Sequence, residues 1–353
     1  MTRPSLVARP SIVLAIAAAC LLTSCGQEPT EQLLAPNAEG SRLFQRDDAG
    51  RKADADSDSD GDGEGGPRFS AWGAPVLLGP VVNSDVEDLT PFISRDGLSL
   101  YFASPRPLSG QGAIDIWVSR RPARDAAWEA PLRLGPTVNV DGVTNDNGAM
   151  LSRSGRLLLF QSNRPGGFGG LDLYVSAWSQ RDETWSAAQN LGSAINSPAN
   201  EAGPFLFEDD ETTVLYFQSN RVGGPGGNDI YASTWLPDGT FAAPVLVAEL
   251  SSPLDDQRVS IRRDGREAFL SSTRAGTLGG QDIWVSKRSS TSDPWGVPEN
   301  LGPTVNTEFF DAAPSLSFDG TALYFHSAFR PGNVGGLGRF DIVVATREKL
   351  TKP

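Results

Sequence analysis

Cysteine is nearly missing from this chain: its 353 residues include two, Cys20 and Cys25. A disulfide framework is excluded, and the fold must rest on its apolar core. Histidine is scarcer still, since His326 stands alone. One imidazole builds neither a histidine metal set nor repeated acid–base pairs. His326 also falls in a slot occupied elsewhere by Ala103, Gln161, Gln218 and Ser271, which marks a strand position. No segment sustains a helical period, and no apolar run spans a bilayer comfortably. Positive charge is short as well: 30 Lys and Arg against 43 Asp and Glu give a net charge of −13. That balance speaks against nucleic acid or an anionic lipid surface as a partner, because both repel an acidic chain.

Glycine (38) and proline (26) are plentiful, as in chains built of short elements and tight turns. They fall in a repeat. "SNRPGGFGGLDLYVS" starts at Ser162, and "SNRVGGPGGNDIYAS" follows 57 positions later at Ser219. Looser copies are "SPRPLSGQGAIDIWVS" from Ser104, "SSTRAGTLGGQDIWVS" from Ser271 and "SAFRPGNVGGLGRFDIVVA" from Ser327. Each unit holds four short β-rich runs, the pattern of a propeller blade. Turns such as Asp96-Gly97, Asp264-Gly265 and Asp319-Gly320 join the first two strands. The third strand opens on Asp115, Asp172, Asp229, Asp282 or Asp341, and the fourth carries Trp72, Trp128, Trp185, Phe241 or Trp295. The fifth copy ends without a fourth strand, while "AWGAPVLLGPVVN" (71–83) is a fourth strand without a blade before it. The expected architecture is therefore all-β: a single five-bladed propeller over 69–347, four antiparallel strands per blade. The N-terminal strand completes the last blade, which removes open edges, and 348–353 form a tail.

The run "PFISRDGLSLYFASPR" from Pro91, followed by "DIWVS", resembles the WD40-like repeats of TolB-type propellers of bacterial envelopes. The N-terminus resembles a lipoprotein signal. Arg3 and Arg9 precede the apolar "SIVLAIAAACLL", and "LTSC" ends at Cys25 in the manner of a lipobox. That resemblance implies a signal peptide over 1–24, lipidation of Cys25 and a membrane-anchored envelope protein. Gly26 after the cysteine favours the outer membrane. Residues 25–68, polar and acidic, read as a disordered tether. Within it "DSDSDGDGE" (Asp56–Glu64) fails as an EF-hand loop, because Pro67 stands where the bidentate glutamate belongs.

Aligning the inner strands brings Asp88, Asp146, Glu201, Asp256 and Asp311 to one position, expected as a ring at one channel mouth. The same face should carry Arg106, Arg164, Arg221, Arg274 and Arg330. Either each arginine bridges its blade's carboxylates, or the ring holds a hard cation such as Ca²⁺. No other cofactor is implied. Residues that break the repeat point to a binding surface: Phe309 and Phe310, with the single cations Arg258 and Arg339. The glycine loops follow no strand-to-helix pattern and read as backbone shaping. The main expectation is a monomeric, non-enzymatic interaction module with no catalytic residues, binding an envelope protein, peptidoglycan or another polysaccharide. The alternative is a glycan hydrolase working with carboxylates alone, as some five-bladed propellers do. Its candidates are Glu87 and Asp255, acids that break the repeat.

Overall fold

The structure is a computed structural model that describes Phe44 and residues 67–107, 113–142, 144–328 and 338–350. The signal segment, Cys25, the Asp56–Glu64 run, Arg330 and residues 351–353 lie outside the described residues. Within them the chain forms five antiparallel blades. The inner strands are Leu89–Ile93, Asp146–Leu151, Glu201–Glu208, Asp256–Ile261 and Asp311–Leu316. The last blade is completed from the other end of the chain, with Val76 opposite Val344 and Leu77 opposite Val343. The ring closes as the strand count required.

The core lies between blades. Phe102, Phe160, Phe217 and Phe325 hold one slot of the second strand in four blades, and all are buried. One apolar cluster joins Phe102 and Trp117 of the first blade to Tyr324 and Ile342 of the last. Burying each such side chain is worth roughly 1.5–3 kcal/mol, so each blade stabilises its neighbours.

Three polar devices repeat around the ring, and they explain the glycines and asparagines. Before four of the five inner strands an asparagine binds both backbone groups of one third-strand residue, and Ser251 takes the Ile230 amide in the remaining blade. Asn139 pairs with Ile116, Asn196 with Leu173, Asn306 with Ile283 and Asn83 with Ile342. The third-strand aspartate caps the glycine loop: Asp172 accepts from the Phe168 and Gly169 amides, and Asp282 from those of Leu278 and Gly279. The loop then presses on the next blade's entry turn. A Cβ on Gly169 would lie 1.7 Å from the Ala199 carbonyl oxygen, on Gly226 2.0 Å from that of Leu254, and on Gly279 1.9 Å from that of Phe309. No other residue fits these positions.

Departures from expectation are local. The paired part of the outer strand is two residues long, as in Leu132–Arg133 and Val245–Leu246, and most of the tryptophans precede it. The second blade adds Thr184–Trp185, also paired to the third strand. Arg68–Phe69 pairs with Lys349–Leu350, so sheet structure reaches into stretches expected as tether and tail. Phe44, inside the expected tether, is buried with its ring 5.0 Å from those of Trp235 and Phe241.

Candidate functional site

Each inner strand is interrupted at the same point. The register shifts beside Thr90, Gly148, Gly203, Arg258 and Ala313, and all five have positive φ, from 48° to 70°. A bulge of this kind re-aims the backbone toward the axis. Its freed amide is held by the preceding blade's second strand. Gln161 accepts from Gly203 N–H at 2.7 Å, Gln218 from Arg258 N–H at 3.1 Å and Ser271 from Ala313 N–H at 2.8 Å. His326 Nδ1 accepts from Thr90 N–H at 3.1 Å, across the ring closure. The single histidine is thus the fourth acceptor in an inter-blade series, in which Ala103 has no side-chain acceptor to offer Gly148.

Burial, together with the charge of nearby Arg258, holds His326 down to a pKa of about 3, so the ring stays neutral in the fold. The unfolded chain takes up a proton below about pH 6.5, which the fold resists until about pH 3. His326 therefore contributes stability that is present above pH 6.5 and lost as pH falls from 6.5 toward 3, at up to about 1.4 kcal/mol per pH unit. His326→Gln keeps the acceptor, as Gln161 and Gln218 do, and removes the titration. Urea unfolding at pH 7 and pH 5 should show the native protein losing more stability than the variant; equal losses would contradict this role.

The five aligned carboxylates are all wholly buried. Arg106 binds Asp88 at 2.8 Å, Arg164 binds Asp146 at 2.6 Å, Arg221 binds Glu201 at 3.1 Å and Arg274 binds Asp256. Asp311 takes Thr307 N–H and the Ser327 hydroxyl. Each arginine in these four pairs also donates to the entry-turn carbonyl, Val82, Val138, Ile195 or Leu250, and lies over an aromatic ring of its own blade. Burial pushes the Asp88 carboxyl above its ordinary value, against the pull of Arg106. In these four blades the pair fastens the entry turn to its blade. Among the described residues no group of three or more His, Cys, Asp or Glu could hold a metal ion.

One position earlier lie the side chains that differ. Asn145 and Asn200 accept the amides of Ile114 and Leu171 in the glycine loops. Asp255 does the same for Asn228, taking its backbone and side-chain N–H groups at 2.9 and 2.8 Å. Glu87 faces Arg339 Nη1 at 3.6 Å, with 31% of its side chain exposed. Phe310 covers Gly280, exposes 46% of its surface and meets Phe340 edge-on, while Arg339 lies over Phe340. Phe309 supplies the carbonyl under Gly279 and is half-buried. At this position the rim carries the carboxylates Glu87 and Asp255, neither held by the arginine fasteners, beside an aromatic pair. Its floor is Arg258, Asn147, Gln257 and His326, all partly accessible.

A cavity of about 760 Å³ opens at the opposite mouth, lined by Arg95, Arg153, Arg263, Phe318 and Glu208. Its carboxylates Asp96 and Glu208 sit among these arginines and accept from Ser94, Leu98 and the Arg153 amide, whereas the rim sets Glu87 and Asp255 near an exposed aromatic pair.

No protein-family model and no curated protein matches the chain. Solved structures match its fold. A thermostable family-43 glycoside hydrolase has TM-score 0.50 and 12% identity, over 78% of this chain and 93% of its own. The α-L-arabinofuranosidase from Lactobacillus brevis has TM-score 0.50 and 14% identity, over 77% and 92%. A third structure, described as a glycoside hydrolase, has TM-score 0.53 and 9% identity, over 81% and 94%. These are likenesses of fold. They correct the expectation of a non-enzymatic interaction module without catalytic residues: the propellers that this chain resembles in space are glycoside hydrolases, where its repeat motif resembled TolB.

Proposed function

We propose that this protein is a glycan hydrolase whose site is the axial funnel on the face formed by the entry turns and glycine loops. The reading is carried by one observation: on a propeller of glycoside-hydrolase form, Glu87 and Asp255 are rim carboxylates outside the buried arginine pairs. Cleavage of a glycosidic bond needs one carboxyl to protonate the leaving oxygen and another to act as base or nucleophile. Glu87, beside Arg339, and Asp255, steadied by Asn228, are assigned to these two tasks. The exposed Phe310–Phe340 pair offers an apolar face to a sugar ring.

Glu87→Gln and Asp255→Asn test the assignment with little risk to the fold, since Asn200 already fills the Asp255 position in another blade. Release of reducing ends from a glycan panel should fall at least about 100-fold in each variant, the scale of acid–base catalysis. Wild-type rates in both would overturn it.

The reading places the enzyme in a bacterial envelope, anchored through Cys25. What supports this is the basic, apolar and "LTSC" order of residues 3–25. Cys25→Ser should move the protein from the membrane pellet to the soluble fraction; a variant that still pellets would refute the anchor.

A further inference from the structure

Arg258 is the one charged side chain among the five axial bulges, and it occupies a conformation that non-glycine residues avoid, with φ 48°. It comes from the fourth blade and reaches across to the second. A Cβ on Gly148 would lie 2.5 Å from its Nη2, so the second blade makes room for it with glycine. Nη2 donates to Asn147 Oδ1 at 3.3 Å and to Gln161 Oε1 at 3.2 Å. Both acceptors are neutral and already engaged, Asn147 by the Thr90 hydroxyl and Gln161 by the Gly203 amide. Nε and Nη1 meet no acceptor among the described residues, and no carboxylate pairs with the guanidinium. The groups it is seen to face, Asn147, Gln161 and His326, are neutral. Burial alone draws the Arg258 pKa down to about 10.

Among the described residues, then, the cation at the floor of the funnel has no counter-charge. A cation removed from water without an anion is costly, and a fold does not gain from it unless something arrives to pair with it. The residue is half-buried and not sealed from solvent, so a ligand can reach it. Around it Asn147, Gln257 and Gln218 supply amide groups suited to hydroxyls. We infer that Arg258 anchors the carboxylate of an acidic sugar, so that the substrate is a uronic-acid-containing glycan. This rests on the hydrolase reading for the word substrate, but the binding step does not need cleavage. Nε and Nη1 donate charge-assisted hydrogen bonds to the sugar carboxylate, and the neutral floor receives the hydroxyls.

The test is calorimetric titration and thermal melting of the full chain with D-glucuronate, D-galacturonate, D-glucose and acetate at constant ionic strength. One or both uronates should bind at least ten-fold more tightly than glucose and acetate and raise the melting temperature. Arg258→Gln should abolish that preference, yet melt no lower than the native protein without ligand, because it removes an unpaired charge. A merely structural arginine predicts the reverse, a lower melting temperature. Asn147→Asp is the second variant: it sets a carboxylate against Nη2, leaves the arginine in place and should also abolish uronate binding. Equal binding of glucose and both uronates, no binding of either uronate, or uronate preference retained in both variants, would overturn the inference. Glu87→Gln separates it from the hydrolase reading. Uronate binding without hydrolysis of any glycan leaves the anchor and removes the enzyme; hydrolysis of neutral glycans without uronate binding does the opposite.

Discussion

Asp256→Ala should lower stability by about 3–5 kcal/mol, the cost of breaking a buried ion pair and stranding its partner. Asp255→Asn, one residue away, should change stability by less than about 1 kcal/mol. The contrast follows from what each carboxylate does. Asp256 is wholly buried, binds Arg274, takes the Ser272 hydroxyl at 2.6 Å and also takes the Ser252 amide. Its removal leaves a guanidinium that is 11% exposed, held between a turn carbonyl and the Trp284 ring with no anion. Asp255 is half-buried and caps a loop, a task that asparagine performs at position 200. Denaturant unfolding of the two variants measures the difference. Equal losses would mean that the entry-turn carboxylates and their neighbours are not distinct in role, and the separation of fasteners from rim acids would fail.

Removing the N-terminal strand should have the second large effect. Deleting 26–66 takes away Phe44 and its packing on Trp235 and Phe241, worth roughly 1.5–3 kcal/mol. Extending the deletion through Asn83 also removes the Val76 and Leu77 pairs, both hydrogen bonds of Asn83 to Ile342, and the Trp72 contact with Phe269. It further uncovers Arg347, which lies under Phe69 and Trp72 and binds buried Glu267 at 2.6 Å. The open edge and exposed core should lower the melting temperature by a further 10 °C or more, at about 2–4 °C per kcal/mol for a domain of this size, or cause aggregation. Matching melting temperatures for the two deletions would show that the ring does not depend on this strand.

Blade number, strand count and closure were legible because they follow from period and counting. Five Asp- and Gly-marked units and one orphan strand admit few arrangements. The asparagine series at 83, 139, 196 and 306 was visible as "VVN", "TVN" and "AIN", but its role depends on pairing across more than twenty residues, which local pattern does not reveal. The His326 slot was recognised, and its purpose was not, because the bulge amide that it accepts belongs to another blade. The aligned carboxylates were found by register, yet register says nothing of burial: the entry turn folds over them and, in four blades, hands the carboxylate to an arginine. Arg258 was noted only as a departure from the repeat. Its place on the axis comes from a bulge, and a bulge leaves little trace in sequence beyond glycine at 148 and 203.

We have proposed that the funnel rim cleaves a glycan with carboxylates outside the buried pairs. The most direct measurement is release of reducing ends from a panel of neutral and uronic-acid-containing glycans, by the native protein and by folded Glu87→Gln at equal concentration. Release from at least one uronic-acid-containing member is expected of the native protein, with a loss of at least about 100-fold in the variant. No release from any glycan by the native protein, or undiminished release by the variant, would contradict it.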